Sequence, residues 1–271
     1  MKSPYSGVKH SSYFDVYDEL LTKYKNKNIT FVEIGVLNGG SLFMWRDFLG
    51  EQARIIGVDL NPKALKFKDF GFEIYIGDQS DEKFWADFFR EVGEIDILLD
   101  DGGHNYIQQI SSFNEALANI KDQGMIIIED VHTSYLPGFG PKKLNFIQYS
   151  FNLINKINGQ FSKNQTRGLG ESCISSIQFF PAIVAIHINY NYFSISPEII
   201  FNKGITINAE DYRNYNIDNP IKFFDKFSSR LKIINFFPGL VSIKKIIRIF
   251  VSYNTSSNRK LRKYFKTIDF R

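Results

Sequence analysis

The sequence predicts an α/β chain on a mostly parallel sheet, and three observations predict it. From Thr30 to Asp130, short apolar runs rich in β-branched residues alternate with helical segments, the pattern of βαβ units. Two of those runs, Ile95–Asp101 and Gly124–Asp130, stop abruptly at carboxylates, as strands buried on both faces do when they reach a solvated sheet end. Near residue 180, two further strands flank Pro181. So short a connection makes them antiparallel, because a parallel crossover needs a dozen or more residues.

Taken in order, Tyr13, Val16, Tyr17, Leu20 and Leu21 have helical spacing in a helix ending near Tyr24, with Ser12 as a candidate N-cap and Asp15 three positions on. Residues 25–28 form a loop. Thr30–Gly35 is the first strand, residues 36–41 a glycine-rich turn, and Ser41–Phe48 a helix. Ile55–Asp59 is the second strand, and Pro62 suits the first turn of the next helix. Phe72–Gly77 is the third strand, and Asp81–Arg90 is a helix with Phe84, Trp85, Phe88 and Phe89 as its buried stripe. The fourth strand ends at Asp101, Ile107–Ile120 is a helix, and Gly124–Glu129 is the fifth strand. A glycine- and proline-rich loop covers Thr133–Pro141, and Lys143–Asn158 is helical. Ser175–Phe180 and Ala182–His187 are the closing pair. The expected division is an N-terminal helical segment (1–28), a ligand-binding α/β domain (29–190), and an irregular linker with a basic helical tail (191–271).

Composition narrows the class. Apolar residues make up 44% of the 271 and aromatics 16%, which describes a globular chain. The single Cys173 excludes an intrachain disulfide and fits a reducing, cytoplasmic setting. Met1-Lys2 is not followed by an apolar stretch, so no secretory signal is expected. The net charge of +4 hides an asymmetry. Residues 1–221 hold 20 Lys/Arg against 27 Asp/Glu (−7), and residues 222–271 hold 13 against 2 (+11). An acidic body argues against nucleic acid as a partner.

In an open α/β sheet, ligands sit beyond the carboxyl ends of the strands. If strands four and five are neighbours, Asp100, Asp101, Glu129 and Asp130 meet there beside His104. Such a cluster repels itself unless cations or protons neutralise it. Asp101, Glu129 and Asp130 offer hard oxygens suited to Mg²⁺ or Ca²⁺. A metal-bound hydroxyl is more acidic, and His104, three residues after Asp101, can take its proton. The turn Gly35-Val36-Leu37-Asn38-Gly39-Gly40-Ser41 lets backbone approach a ligand and aims helix amides at it. It lacks the G-x-G-x-x-G spacing of dinucleotide folds. Asp59 ends strand two, where an acid can hold ribose hydroxyls, and Asp78-Gln79 ends strand three, where they can read an adenine edge.

This order of sites resembles the class I S-adenosylmethionine-dependent methyltransferases, over roughly residues 30–190. The resemblance implies a Rossmann-like, seven-stranded sheet and cofactor contacts from Tyr13, Glu33, Gly35, Asn38, Gly39, Ser41, Asp59, Asp78, Gln79 and Asp100. Asp101-Gly102-Gly103-His104, followed by Glu129-Asp130, Thr133-Ser134-Tyr135 and Pro137-Gly138-Phe139-Gly140, resembles the metal-dependent sugar O-methyltransferases of antibiotic pathways. So does His10-Ser11-Ser12-Tyr13 with Tyr17. That resemblance implies Mg²⁺ on Asp101, Glu129 and Asp130, and His104 as base. His132 and Tyr135 are candidates for substrate contact. The acceptor expected is a small-molecule or nucleotide-linked sugar, such as a polysaccharide precursor. A methyltransferase of catechols and a non-catalytic nucleotide-binding assembly protein are the alternatives. From Pro238 the tail alternates apolar residues with Lys244, Lys245 and Arg248. Its readings are peripheral contact with an anionic membrane, a grip on nucleotide-sugar diphosphates, and packing on the body or a second subunit of a homo-oligomer.

Overall fold

A computed structural model describes residues 3–159, 173–191, 200, 202–205, 261–262 and 264. The chain divides into two units, Met1–Ile199 and Ile200–Arg271. The expected basic tail helix from Pro238 lies outside the described residues, apart from Leu261, Arg262 and Tyr264.

The first unit opens with α1 (Tyr13–Leu21), then runs β1 (Thr30–Ile34), α2 (Gly40–Leu49), β2 (Arg54–Asp59), β3 (Glu73–Ile76), α3 (Glu82–Val92), β4 (Ile95–Asp100), α4 (Tyr106–Leu117), β5 (Ile120–Ile128), α5 (Phe146–Gly159), β6 (Ile174–Phe180) and β7 (Ile183–Ile188). The sheet order is β3-β2-β1-β4-β5-β7-β6. The first five strands are parallel, and β7 is antiparallel to both β5 and β6. The order reverses between β1 and β4, so their carboxyl ends open a crevice where ligands bind in such sheets.

Strand alternation sorts the core into two layers. Phe31, Ile97, Leu99, Met125 and Ile127 face one way, against α1 and α2 through Tyr17, Leu21, Leu42 and Trp45. Val32, Ile34, Leu98, Ile126 and Ile128 face the other, against Trp85, Phe88, Phe113 and Phe146 of α3, α4 and α5. The N-terminal helix is therefore part of the core layer of its unit.

Several local expectations shift. Ser12 makes no side-chain cap, and its backbone is already helical. After Pro62 the chain forms a 3₁₀ helix, Pro62–Phe70, capped by Asn61 accepting from the Lys63 amide. Asp81 caps α3 in the same way, from the Lys83 amide. Helix α4 ends at Leu117, and β5 begins at Ile120 with a register shift opposite Ile95 and Ile97. Val131–Tyr135 is a 3₁₀ turn directly after β5, not open loop. No helix among the described residues is long and apolar enough to cross a membrane.

Candidate active site

The glycine turn after β1 is shaped by close approach. Gly35 has φ +91°, and a Cβ there would sit 2.1 Å from the Asp101 carbonyl oxygen. Only glycine lets β1 leave the sheet so near β4. Asp59, at the end of β2, holds the turn from the other side. Its Oδ2 accepts from the amides of Val36 (2.8 Å) and Leu37 (2.9 Å), and its Oδ1 from Asn61 (2.7 Å). Asn38 donates to Ser6 Oγ (3.4 Å), and the Ser6–Gly7 backbone lies so close over Gly40 that a Cβ there would meet it at 2.5 Å. Asp78 accepts from the amide and hydroxyl of Ser80.

The expected four-acid cluster divides by strand parity. Leu99 faces the α1 side, so Asp100 turns to the other face and Asp101 returns. Asp100 is fully buried. It accepts from Gln79 Nε2 on both oxygens (3.0 Å each) and from the Gly102 amide (3.1 Å). Burial raises its pKa, opposed by the hydrogen bonds from Gln79, Gly102 and Ser112. Gln79 also donates to Ser112 Oγ and accepts from the Gly103 amide at 2.9 Å. The expectation that Gln79 reads adenine therefore meets a correction: its amide is consumed inside the protein. Asp100 likewise does not join the acid cluster.

On the α1 side the pleat brings Glu33, Asp101 and Glu129 together, joined by Asp130. Glu33 is fully buried and accepts from Ser41 Oγ (2.7 Å) and Trp45 Nε1 (3.0 Å). The centre holds a residue that sequence reasoning passed over. Lys9 Nζ lies 2.7 Å from Asp101 Oδ2, 2.9 Å from Glu129 Oε2 and 3.8 Å from Glu33 Oε1, with its side chain 5% exposed. Tyr17 donates to Glu129 Oε1 at 2.5 Å, and Tyr13 donates to Asp130 Oδ1. Lys9 precedes α1, so no helical spacing ties it to Tyr13 and Tyr17, and nothing in the sequence marks it. Tyr13, expected to contact the cofactor, directs its hydroxyl to Asp130.

Three carboxyl groups, of Glu33, Asp101 and Glu129, share one ammonium here. Burial works against the Lys9 charge, but Glu129, Glu33 and Asp101 outweigh it and keep the amine protonated. Burial pushes Glu33 up to about 7, and raises Glu129 and Asp101 against the pull of Lys9. Buried hard-oxygen donors with unmatched negative charge fit a divalent cation.

His104 and Asp130 both take left-handed backbone conformations (φ 58° and 54°), uncommon for side-chain-bearing residues and concentrated at functional sites. His104 Nε2 lies 3.3 Å from Asp130 Oδ2, while its Nδ1 is buried without a hydrogen-bond partner. Donor atoms of Asp101, His104 and Asp130 all fall within 4.8 Å of one another, and so do those of His10, Asp130 and His132. Glu129 is outside both groups, and its oxygens accept from Lys9 and Tyr17 instead. His132 Nδ1 is 3.7 Å from Asp130 Oδ1, and Tyr135 is exposed on the same 3₁₀ turn.

The strand order, the glycine turn at the switch point and the acid-ended second strand together define the methyltransferase version of the Rossmann-like fold. Residues 32–131 match the family model described as a methyltransferase domain. Among characterised relatives, the chain is 34% identical over 131 residues to mycinamicin VI 2''-O-methyltransferase of Micromonospora griseorubida. That match covers 46% of this chain and 32% of the relative. It is 31% identical over 131 residues to demethylmacrocin O-methyltransferase of Streptomyces fradiae, covering 46% and 33%. Among solved structures it is similar to the MycE methyltransferase of the mycinamycin biosynthetic pathway in complex with Mg, SAH and mycinamycin VI. That likeness has 26% identity and a TM-score of 0.62, covering 68% of this chain and 50% of that one. The chain thus spans about a third of the length of the curated relatives it matches.

Proposed function

We propose that this chain is an S-adenosylmethionine-dependent O-methyltransferase acting on a sugar hydroxyl. The observation that carries the reading is the meeting of Asp101, His104 and Asp130 at the carboxyl ends of β4 and β5, beside the β1–β4 crevice. The names of two relatives, which carry a rhamnosyl and an olivosyl group, support the acceptor class.

The sulfonium donor is already activated, so the chain has two tasks: aligning donor and acceptor, and deprotonating an alkyl hydroxyl. The glycine turn and the amides opening α2 receive the cofactor, with Glu33 and Ser41 tying turn to helix. Asp101, Asp130 and, once freed from Lys9, Glu129 would hold Mg²⁺, which when bound lowers the pKa of an oxygen it contacts. His104 takes the hydroxyl proton. Asp130 Oδ2 beside Nε2 stabilises the imidazolium that results. Tyr13 fixes Asp130 in position.

The acceptor we favour is a sugar carrying phosphate, such as a nucleotide-linked polysaccharide precursor. The support is the +11 charge of residues 222–271, which suits a phosphorylated ligand. The experiment is a methyl-transfer assay with labelled S-adenosylmethionine. It compares nucleoside-diphosphate sugars, neutral glycosides and catechols, with Mg²⁺ or with chelator. Transfer to sugars that stops on chelation is expected. Turnover of catechols alone would overturn the acceptor, and full activity in chelator would overturn the metal.

A further inference from the structure

The N-terminal segment runs from the cofactor turn into the acid centre. Tyr5 packs edge-on against Phe67 and Phe70, with ring centroids 5.3 and 5.6 Å away. Ser6 and Gly7 cross directly over Gly40 at the start of α2. Two residues later Lys9 turns inward, and its ammonium contacts Asp101 Oδ2 and Glu129 Oε2. Those are the oxygens of two of the three residues assigned above to a divalent cation.

An ammonium and a divalent cation compete for such oxygens. A lysine nitrogen rests 2.7–2.9 Å from them here, whereas Mg²⁺ binds at about 2.0–2.1 Å and demands near-octahedral oxygen ligands. Two cations held by the same buried carboxylates also repel each other strongly in a low-dielectric site. Lysine is the residue suited to leave, because its charge sits on a flexible four-carbon stem. Glu33, Asp101 and Glu129 without Lys9 or a cation would be an uncompensated charge in a largely buried site.

We propose that Lys9 is the resident counter-ion of the acid centre, and that a divalent cation displaces it from Asp101 and Glu129. The displacement loosens residues 5–9 over the glycine turn, so cation loading opens the cofactor side. This rests on the reading of the acid centre as a cation site.

The test is Mn²⁺ titration of the full chain, followed by electron paramagnetic resonance, for wild type, K9M and K9R. K9M should bind Mn²⁺ on the order of tenfold more tightly, with K9R close to wild type. In wild type, deuterium uptake of amides 3–12 should rise on saturation with Mn²⁺, a measurement that stands even if K9M does not fold. Equal or weaker Mn²⁺ binding by K9M overturns the proposal, and so does a segment equally protected with and without the ion. Absence of Mn²⁺ binding in both wild type and K9M would remove the cation site itself, and this proposal with it.

Discussion

Gln79→Leu tests how the buried Asp100 is sustained. Gln79 gives Asp100 two contacts at 3.0 Å and takes the Gly103 amide at 2.9 Å, and both side chains are buried. Hydrogen bonds to a charged group are worth about 1.5–3 kcal/mol each, and freeing the exposed Gly103 amide adds little because water can replace its acceptor. Leucine returns part of this through apolar burial, about 1.5–3 kcal/mol. The net expected loss is about 3 kcal/mol at pH 7, or roughly 6–12 °C in Tm for a domain of this size. The loss should depend on pH. Burial already raises the Asp100 pKa and Gln79 holds it down, so in the variant it rises further. Between the unfolded and native values the native variant then binds more protons than its unfolded chain, and its stability falls as pH rises. Urea unfolding at pH 5 and pH 7.5 should therefore give a larger deficit at pH 7.5. A loss below about 1 kcal/mol, or one equal at both pH values, would refute the account of Gln79 as the support of a buried carboxyl.

His104→Ala should lower turnover on the order of 10² or more while S-adenosylmethionine affinity, measured calorimetrically, stays near wild type; equal turnover would remove it as the base. Asp101→Asn should abolish Mn²⁺ binding seen by paramagnetic resonance and leave the far-UV circular dichroism spectrum unchanged. Gly35→Ala should fail to bind cofactor and lose at least about 1–2 kcal/mol of stability in urea melts, since φ +91° is strained for alanine and its Cβ meets a backbone carbonyl. The metal-free protein should lose thermal stability as pH rises from 5 to 8. Glu33, held up to about 7, and the raised Glu129 give up protons that the folded state binds more tightly. Mg²⁺ should restore the melting temperature at pH 8 more than at pH 5.

The central strands were legible because each is buried on both faces, and burial writes itself as a continuous β-branched run. Strand ends and helix ends shifted by a few residues where local chemistry was ambiguous. Helix α4 stops at Leu117 and β5 starts three residues later, because Ile120 can join either period. Asp101, Asp130 and His104 were legible as a group because abrupt acids ending apolar runs have few bland explanations. Gln79 was misread and Lys9 passed over, for opposite reasons. Gln79 sits at a strand end where ligands bind, yet its amide turns inward to Asp100. Lys9 looks like an ordinary surface charge until the fold places it over two buried carboxylates 92 and 120 residues away.

By itself the sequence determined the α/β class, the parallel strands, the glycine turn and the acids that end β4 and β5. All of these follow from local periodicity and residue chemistry along the chain. Only the tertiary structure decided which carboxylates share a face. That depends on pleat parity and register across neighbouring strands, which send Asp100 to one layer and Glu33, Asp101 and Glu129 to the other. It also decided that the charge balancing them comes from the amino-terminal segment, since a contact between residues far apart in the chain leaves no periodic trace in the sequence.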